Sequence, residues 1–463
     1  MQQACSLLCG FLLVLGFCAA SAQGPEDVLG LRSSFECEDG GSADTRVCQI
    51  TNLCIVNGKL YLLTAADVAG DARPKIPDIM VNWHAQRLAR IEYLDVHQLA
   101  QHMAGMQVKY VEQGVLQHVA WANNFYHSME ALVAFAMKAC QVFGHCKASE
   151  PSAQAPQLIR TEENDLGNPN PAAFDWLAHH PTVAQAMRCI TQHPAPHILG
   201  LQGQITIVRS AVIGIGRSNR IYSGSLTRPG FHDIYVLPER WLVDDFRERM
   251  AQCAGAPTLV VQASDRLNIS IVNRGDGAGR HMLNVQETRS RILSDFAQEI
   301  DRVRIIRPEE LDFAEQLRAY ATSSVIITTH SAANANLMFI PKGSAVVEYV
   351  WHKDVAPAHD WVVDLLTDMH LNCSLVGVHQ QDHRLLEWRR EIFYRQPKFE
   401  ELSITQKLAF YENNEDLTKD MLDGLDHKFH ANFHLDWAVL RPALQRAIGA
   451  IRTGNHTFNF MPL

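Results

Sequence analysis

Positive charge is scarce in this sequence. Its 463 residues carry 41 Lys and Arg against 50 Asp and Glu, a net charge of −9 with a pI near 6.2. A general nucleic-acid binder needs a basic surface to displace counterions, so that class is excluded and any anion site must be local. There is no Cys-x-x-Cys pair, nor any partner pair at finger spacing, which argues against a structural zinc module. No Gly-x-Ser-x-Gly elbow and no His-Glu-x-x-His is present, which argues against a serine hydrolase or a zinc protease. Gly214, Ile215 and Gly216 look like the start of a dinucleotide fingerprint, but no third glycine follows at the required offset. Internal repeats and low-complexity tracts are also lacking.

Long apolar runs are nearly absent too. The one candidate covers residues 7–20, 14 residues where a bilayer span needs about 20. Ala20, Ser21 and Ala22 fit a small-x-small cleavage site, so residues 1–22 are expected to be a signal peptide. An uncleaved type II anchor is the alternative, because the segment before the run has no Lys or Arg. Of the 11 cysteines, eight fall beyond residue 22, and an even number invites disulfides in an oxidising lumen. Eight cysteines allow 105 pairings, so connectivity stays open, though Cys140 and Cys146 are near enough for a local bridge. Sequons at Asn268, Asn372 and Asn455 are compatible with a lumenal glycoprotein.

What is there is a globular composition, 47% hydrophobic and 20% charged, long enough for more than one domain. Residues 23–44 are rich in Gly, Asp and Ser and read as a lead-in. Residues 60–63, 204–208 and 211–215 read as strands, 87–99 and 130–142 as helices, and a turn signal places a boundary near 225–240. Beyond it, strands at 258–261, 267–272, 303–306 and 325–329 alternate with helices at 283–300 and 313–322, the pattern of a parallel doubly wound sheet. An amphipathic helix at 437–452 is expected to fold back on the first lobe. The resulting division is 23–44 lead-in, 45–230 first lobe, 231–380 second lobe and 381–463 helical tail.

The most informative stretch is His330 to Asn336, because of its flanks. An apolar strand precedes it. A short helix, a turn with Pro341 and Gly343, and a second β-branched strand ending on Glu348 follow. Small residues at a strand's carboxyl end, here Ser331 and Ala332, let the backbone approach a ligand closely. The following helix aims free N–H groups there, which suits a phosphate, and a carboxylate on the next strand suits ribose hydroxyls. Arg274 directly follows the strand at 267–272, where a guanidinium could bind a diphosphate, and Arg280 is a second candidate across a glycine-rich loop.

His330, Ala332, Asn336, Phe339, Pro341, Gly343 and Glu348 fall in register with the motif of the family 61 glycosyltransferases, which the chain resembles. Ser331 and Ala333 stand where that motif has glycines. Three further segments resemble the family: residues 45–61 with a cysteine pair, Asn124 to His127 as its Asn-x-x-His, and Asn273, Arg274, Arg280 and Asn284 as its arginine segment. The resemblance covers residues 45–375 and implies an α/β fold of the GT-B-like kind, two Rossmann-like lobes facing a cleft. It implies an inverting transfer of N-acetylglucosamine or a pentose from a UDP-sugar to a glycoprotein or glycan in the endoplasmic reticulum or Golgi. The first lobe would hold the acceptor, the second the nucleotide sugar. A non-catalytic carbohydrate- or nucleotide-binding relative of the same fold is the alternative.

The roles follow from that chemistry. Arg274, Arg280, His330, Ser331, Ala332, Asn336 and Glu348 would hold the nucleotide sugar, with Asn124 on the acceptor side. His127 is a candidate general base because its ordinary pKa is near neutrality. The family places a carboxylate four residues after this histidine. Here that position is Ala131, and Glu130 comes one residue early. The chain beyond residue 22 has no Asp-x-Asp, the usual metal–diphosphate pair, so no metal or other obligate cofactor is expected.

Overall fold

The computed structural model describes residues 28–38, 46–65, 73–82, 87–103, 106–117, 125–144, 156–160, 181–191, 197–198, 204–214, 239–256, 266–275, 280–350, 358–379, 386–387 and 432–461. The signal peptide expected at residues 1–22, Asn124 and the strand expected at 258–261 lie outside the described residues. Among the described residues no helix is long and apolar enough to cross a membrane.

The molecule is mixed α/β, with two main sheets flanked by helices. The first sheet uses β1 (Ser34–Glu38), β2 (Val47–Val56), β3 (Lys59–Thr64), β6 (Ile91–Asp95), β7 (Gln107–Gln117), β8 (Gln157–Arg160), β9 (His197–Ile198) and β10 (Gln204–Ile213). A small pair, β4 (Met80–Asn82) and β5 (Arg87–Leu88), stands beside it. The order is β6-β3-β2-β10-β7-β8-β9, with β1 on β2. This sheet is mixed: β2 runs antiparallel to β1, β3 and β10, while β10, β7, β8 and β9 are mutually parallel. The first sheet is thus mixed, where the resemblance implied a Rossmann-like lobe. Two local readings also change. Residues 204–213 are one strand, and residues 87–99 are strand before they are helix, with α1 at Val96–Met103. Ile91 and Tyr93 alternate with Glu92, and pairing with β3 decides between two periods the sequence satisfies equally.

The second sheet is parallel throughout. Its strands are β11 (Leu267–Val272), β12 (Ile300–Ile306), β13 (Val325–Thr329), β14 (Ala345–Val350), β15 (Ser374–His379) and, after a short β16–β17 pair (Leu386–Glu387, Asn432–Phe433), β18 (Phe458–Met461). Alternate residues feed opposite faces. Leu267, Ile269, Ile271, Val325, Ile327 and Val347 pack under α5 (Val285–Asp295) and α8 (Trp437–Thr453). Val272, Ile326, Val346 and Leu375 face the other core. Both faces are covered, which is why these strands read as continuous apolar runs. The helix expected at 437–452 is α8. It packs on this second sheet rather than on the first lobe, and β18 adds a sixth strand. Residues 432–461 thus join the second sheet with a helix and a strand.

Between the sheets lies one core of helices: α2 (Phe125–Phe143), α3 (Pro181–Ile190), α4 (Arg240–Cys253), α6 (Phe313–Ala321), α7 (Ala358–Asp368) and the 3-10 segment Ala332–Phe339. This core takes Val115 and Val212 from the first sheet and Ile326 and Val346 from the second. Disulfides join Cys37 to Cys48 and Cys189 to Cys253, and Cys140 is disulfide-bonded to a residue outside the described ones. Cys54 and Cys373 are buried free thiols.

Gly214 ends β10 with φ 112°, and an added Cβ would collide with the Arg46 carbonyl oxygen. Its glycine is a backbone requirement. Its carbonyl accepts a hydrogen bond from Lys138, which is buried in α2. Burial pulls the Lys138 ammonium down to a pKa of about 7. Between that value and the ordinary lysine range the unfolded chain holds a proton that the folded chain does not. Stability from this group therefore rises as pH increases through the window and falls back toward pH 7. Replacing Lys138 by Met should remove this slope, worth about 2 kcal/mol between pH 7 and 9. Urea denaturation at both pH values measures it, and an unchanged slope in the Met variant would contradict the assignment.

Candidate functional site

The second sheet has the strand order β12-β11-β13-β14-β15-β18. The chain leaves β11 to one side for β12, then returns past it to β13. Such a reversal opens a crevice outside the carboxyl ends of the two strands that flank it, where open α/β sheets bind ligands. Those ends are Asn273 and Arg274 after β11, and His330 and Ser331 after β13.

The β11 end is shaped by Asn273, which is fully buried. Its Oδ1 accepts from the Arg274 N–H at 3.0 Å and the Met282 N–H at 2.8 Å, and its Nδ2 donates to the Met282 carbonyl at 3.2 Å. One amide thus closes the loop carrying both arginines. His281 contacts the Arg274 carbonyl through Nδ1. Asn284, from the same motif segment, is spent on main chain: it donates to the Leu435 carbonyl at 3.0 Å and accepts from the Leu435 N–H at 2.7 Å. It anchors the loop to the strap before α8.

Arg280 has φ 60°, a left-handed backbone, and its guanidinium donates 2.8 Å to the His330 carbonyl. That bond ties the two strand ends together. Arg274 and Arg280 are both half-buried and close enough to repel. Burial, then the Arg274 charge, lowers the Arg280 pKa to about 10. Burial also lowers that of Arg274, with Glu309 acting against it. Glu309 accepts a hydrogen bond from the Gly275 N–H.

On the β13 side, Glu348 sits on β14 with no exposure. Its Oε1 lies 3.8 Å from His330 Nδ1 and 3.4 Å from Asn334 Nδ2, and Thr328 Oγ1 is 2.7 Å from Asn334 Oδ1. Glu348, expected from sequence to meet ribose hydroxyls, is thus fully buried, with His330 and Asn334 beside its carboxylate. Ser331 is 8% exposed and Ala332 opens the 3-10 segment, so the expected short helix is present in the tighter form. Asn336 is fully buried and donates 2.8 Å to Gln316 Oε1. Phe339 lies between Phe246 and Phe313, and Arg247 donates to the Met338 and Ile340 carbonyls at 2.8 and 2.6 Å. Arg247 satisfies the segment's terminal carbonyls, so the second half of the motif is structural.

His127 and Glu130 lie in the first turns of α2, but their side chains lie outside the described residues. The helix packs against β7 and against the 3-10 segment that follows His330. Sequence reading named Asn273 only as part of the arginine segment and missed Glu309 and Arg247. Glu309 and Arg247 lie in no motif, and only folding brings them in.

Residues 125–347 match the family model described as Glycosyltransferase 61. No curated protein matches the chain.

Replacing Asn273 by Ala would leave the buried Met282 N–H and carbonyl without this partner, at a cost of about 3 kcal/mol. Urea denaturation should show that loss. Hydrogen exchange should show faster exchange at Arg274 and Met282 in particular. Unchanged protection at both amides would show that the loop does not depend on Asn273.

Proposed function

We propose that this family 61 glycosyltransferase, identified by its domain over residues 125–347, moves one sugar from a UDP-sugar to a glycan or glycoprotein with inversion at the anomeric carbon. One observation carries the donor site: two half-buried arginines converge at the reversal point of a doubly wound sheet. Each already bears a desolvation cost, and their repulsion adds to it. A diphosphate would relieve both, because guanidinium–phosphate bonds are charge-assisted and often bidentate. The uridine and the choice among sugars come from the family resemblance.

In the proposed chemistry the acceptor oxygen attacks the anomeric carbon from the face opposite the diphosphate. The bond to the β-phosphate oxygen breaks, and UDP leaves with the electron pair. Arg274 and Arg280 stabilise that developing charge in place of a metal. His330 lies at the crevice mouth, with Glu348 and Asn334 behind it to fix its ring. Ser331 and Ala332 allow close approach of the donor. Asn124, His127 and Glu130 belong to the opposite wall of a GT-B cleft, with His127 taking the acceptor proton and Glu130 assisting. The leader and the cysteine pattern support work in the lumen of the secretory pathway.

Arg274→Ala should cost roughly 2–4 kcal/mol of transition-state stabilisation. UDP affinity should weaken with it, and Arg274→Lys should rescue only in part. Turnover is read as UDP released with a panel of UDP-sugars, and affinity as UDP-dependent thermal stabilisation. UDP affinity equal to wild type in Arg274→Ala would remove Arg274 from the phosphate site. Turnover should also survive EDTA. A loss of more than about tenfold (about 1.4 kcal/mol), restored by manganese, would overturn the metal-free reading.

A further inference from the structure

The second sheet carries another cationic feature, away from its carboxyl edge. A pocket of about 820 Å³ lies along β12. Arg302, Arg304 and Ile305 line it from the strand itself, Arg307 from just past its end, Gln286 from α5 and Arg318 from α6. These helices cover opposite faces of the sheet, so a pocket lined by both lies on the strand's outer edge. Among the described residues β12 pairs with β11 alone, and that edge is open.

The pocket's charge is unbalanced. Glu310 is engaged by Arg307 at 3.0 Å, and Glu315 caps α6 by accepting from the Asp312 N–H at 3.0 Å. Among the described residues no carboxylate pairs with Arg302, Arg304 or Arg318. Arg304 donates to Ser270, Ala319, Thr322 and Ser323, and Arg318 to the Ala254 carbonyl at 2.7 Å. Neutral acceptors satisfy N–H groups but leave the charge. The surplus stands on a chain of net charge −9.

The strand edge adds direction. Successive peptide groups along a strand face opposite edges. The Ile306 carbonyl accepts from Asn273 on the β11 side, so Ile305 and Val303 face outward. Arg289 covers the Val303 carbonyl at 3.0 Å and Arg266 the Ile300 carbonyl at 3.1 Å. The uncovered stretch is at Ile305, beside Arg302 and Arg304, which share a face.

We propose that this edge groove docks an extended acidic polypeptide segment, its main chain along Ile305 and its carboxylates on Arg302, Arg304 and Arg318. The open main chain at Ile305 beside three arginines favours a peptide over a sulfated glycan. That the segment belongs to the acceptor rests on the transferase reading above. The turn at Pro308–Glu310 joins the two places: Glu309 contacts Gly275 in the donor site while Glu310 lines the groove.

The test uses the full protein and a labelled ten-residue peptide of alternating Glu and Val, read by fluorescence anisotropy. An alternating Gln and Val peptide is the neutral control, and a sulfated disaccharide is the competitor. The acidic peptide should bind, and more weakly as salt rises. Arg302→Glu should weaken it about tenfold, whereas Arg302→Lys should stay within a few-fold. Arg302 is exposed, so both variants should fold and keep wild-type UDP affinity. Equal binding of the neutral peptide, no effect of Arg302→Glu, or Arg302-dependent binding of the disaccharide alone would overturn the proposal. Wild-type protein that binds the acidic peptide but not UDP would sink the donor-site reading and leave the groove standing.

Discussion

The second sheet is buried on both faces, and that constraint decides where its chemistry can be. Its strands alternate between two apolar cores, so a polar side chain within them must be paired or be expelled to an end or an edge. The carboxyl ends of β11 and β13 receive Asn273, Arg274, His330 and Ser331. The open edge at β12 receives Arg302 and Arg304. Glu348, alone among carboxylates in being fully buried within a described strand of this sheet, lies within reach of His330 and Asn334. The polar residues are thus arranged by where apolar packing leaves room.

Within this constraint main-chain bonds order the two arginine-bearing strand ends at the crevice. Asn273 fixes the peptide that carries Arg274, and the His330 carbonyl holds Arg280. The Arg280 guanidinium is thereby tied to a main-chain oxygen. In the proposed donor site, positive potential in this partly desolvated place would favour an anionic ligand. Glu309 moderates the field near Arg274 from a turn that follows β12.

Much of this half was legible in the sequence because the signals are local. Continuous apolar runs mark strands buried on both faces, and a strand followed by small residues and then a proline-glycine turn marks a ligand-facing edge. Arg274 could be placed there from its position one residue past Asn273. The first sheet was harder to read. Ile91 to Asp95 satisfies strand and helix spacing alike, and antiparallel β2 depends on pairing with a strand some 150 residues away. Glu348 shows another limit. A sequence gives a carboxylate's position along a strand, but whether it reaches ligand or stops at His330 is a matter of depth. Arg247 and Glu309 carry no spacing signal, since each acts on a segment distant in the chain.

The first sheet's helices still bear on the site, through the core between the sheets. α2 lies against the 3-10 segment after His330, and α4 sends Arg247 into the end of that segment. Phe246 of α4 stacks on Phe339, so the motif's second half is gripped by elements that precede β11 in the chain. A shift of these helices would carry the 3-10 segment with it, because the aromatic contacts and the Arg247 bonds act on the same few residues. The geometry at His330 therefore depends on packing that spans both sheets.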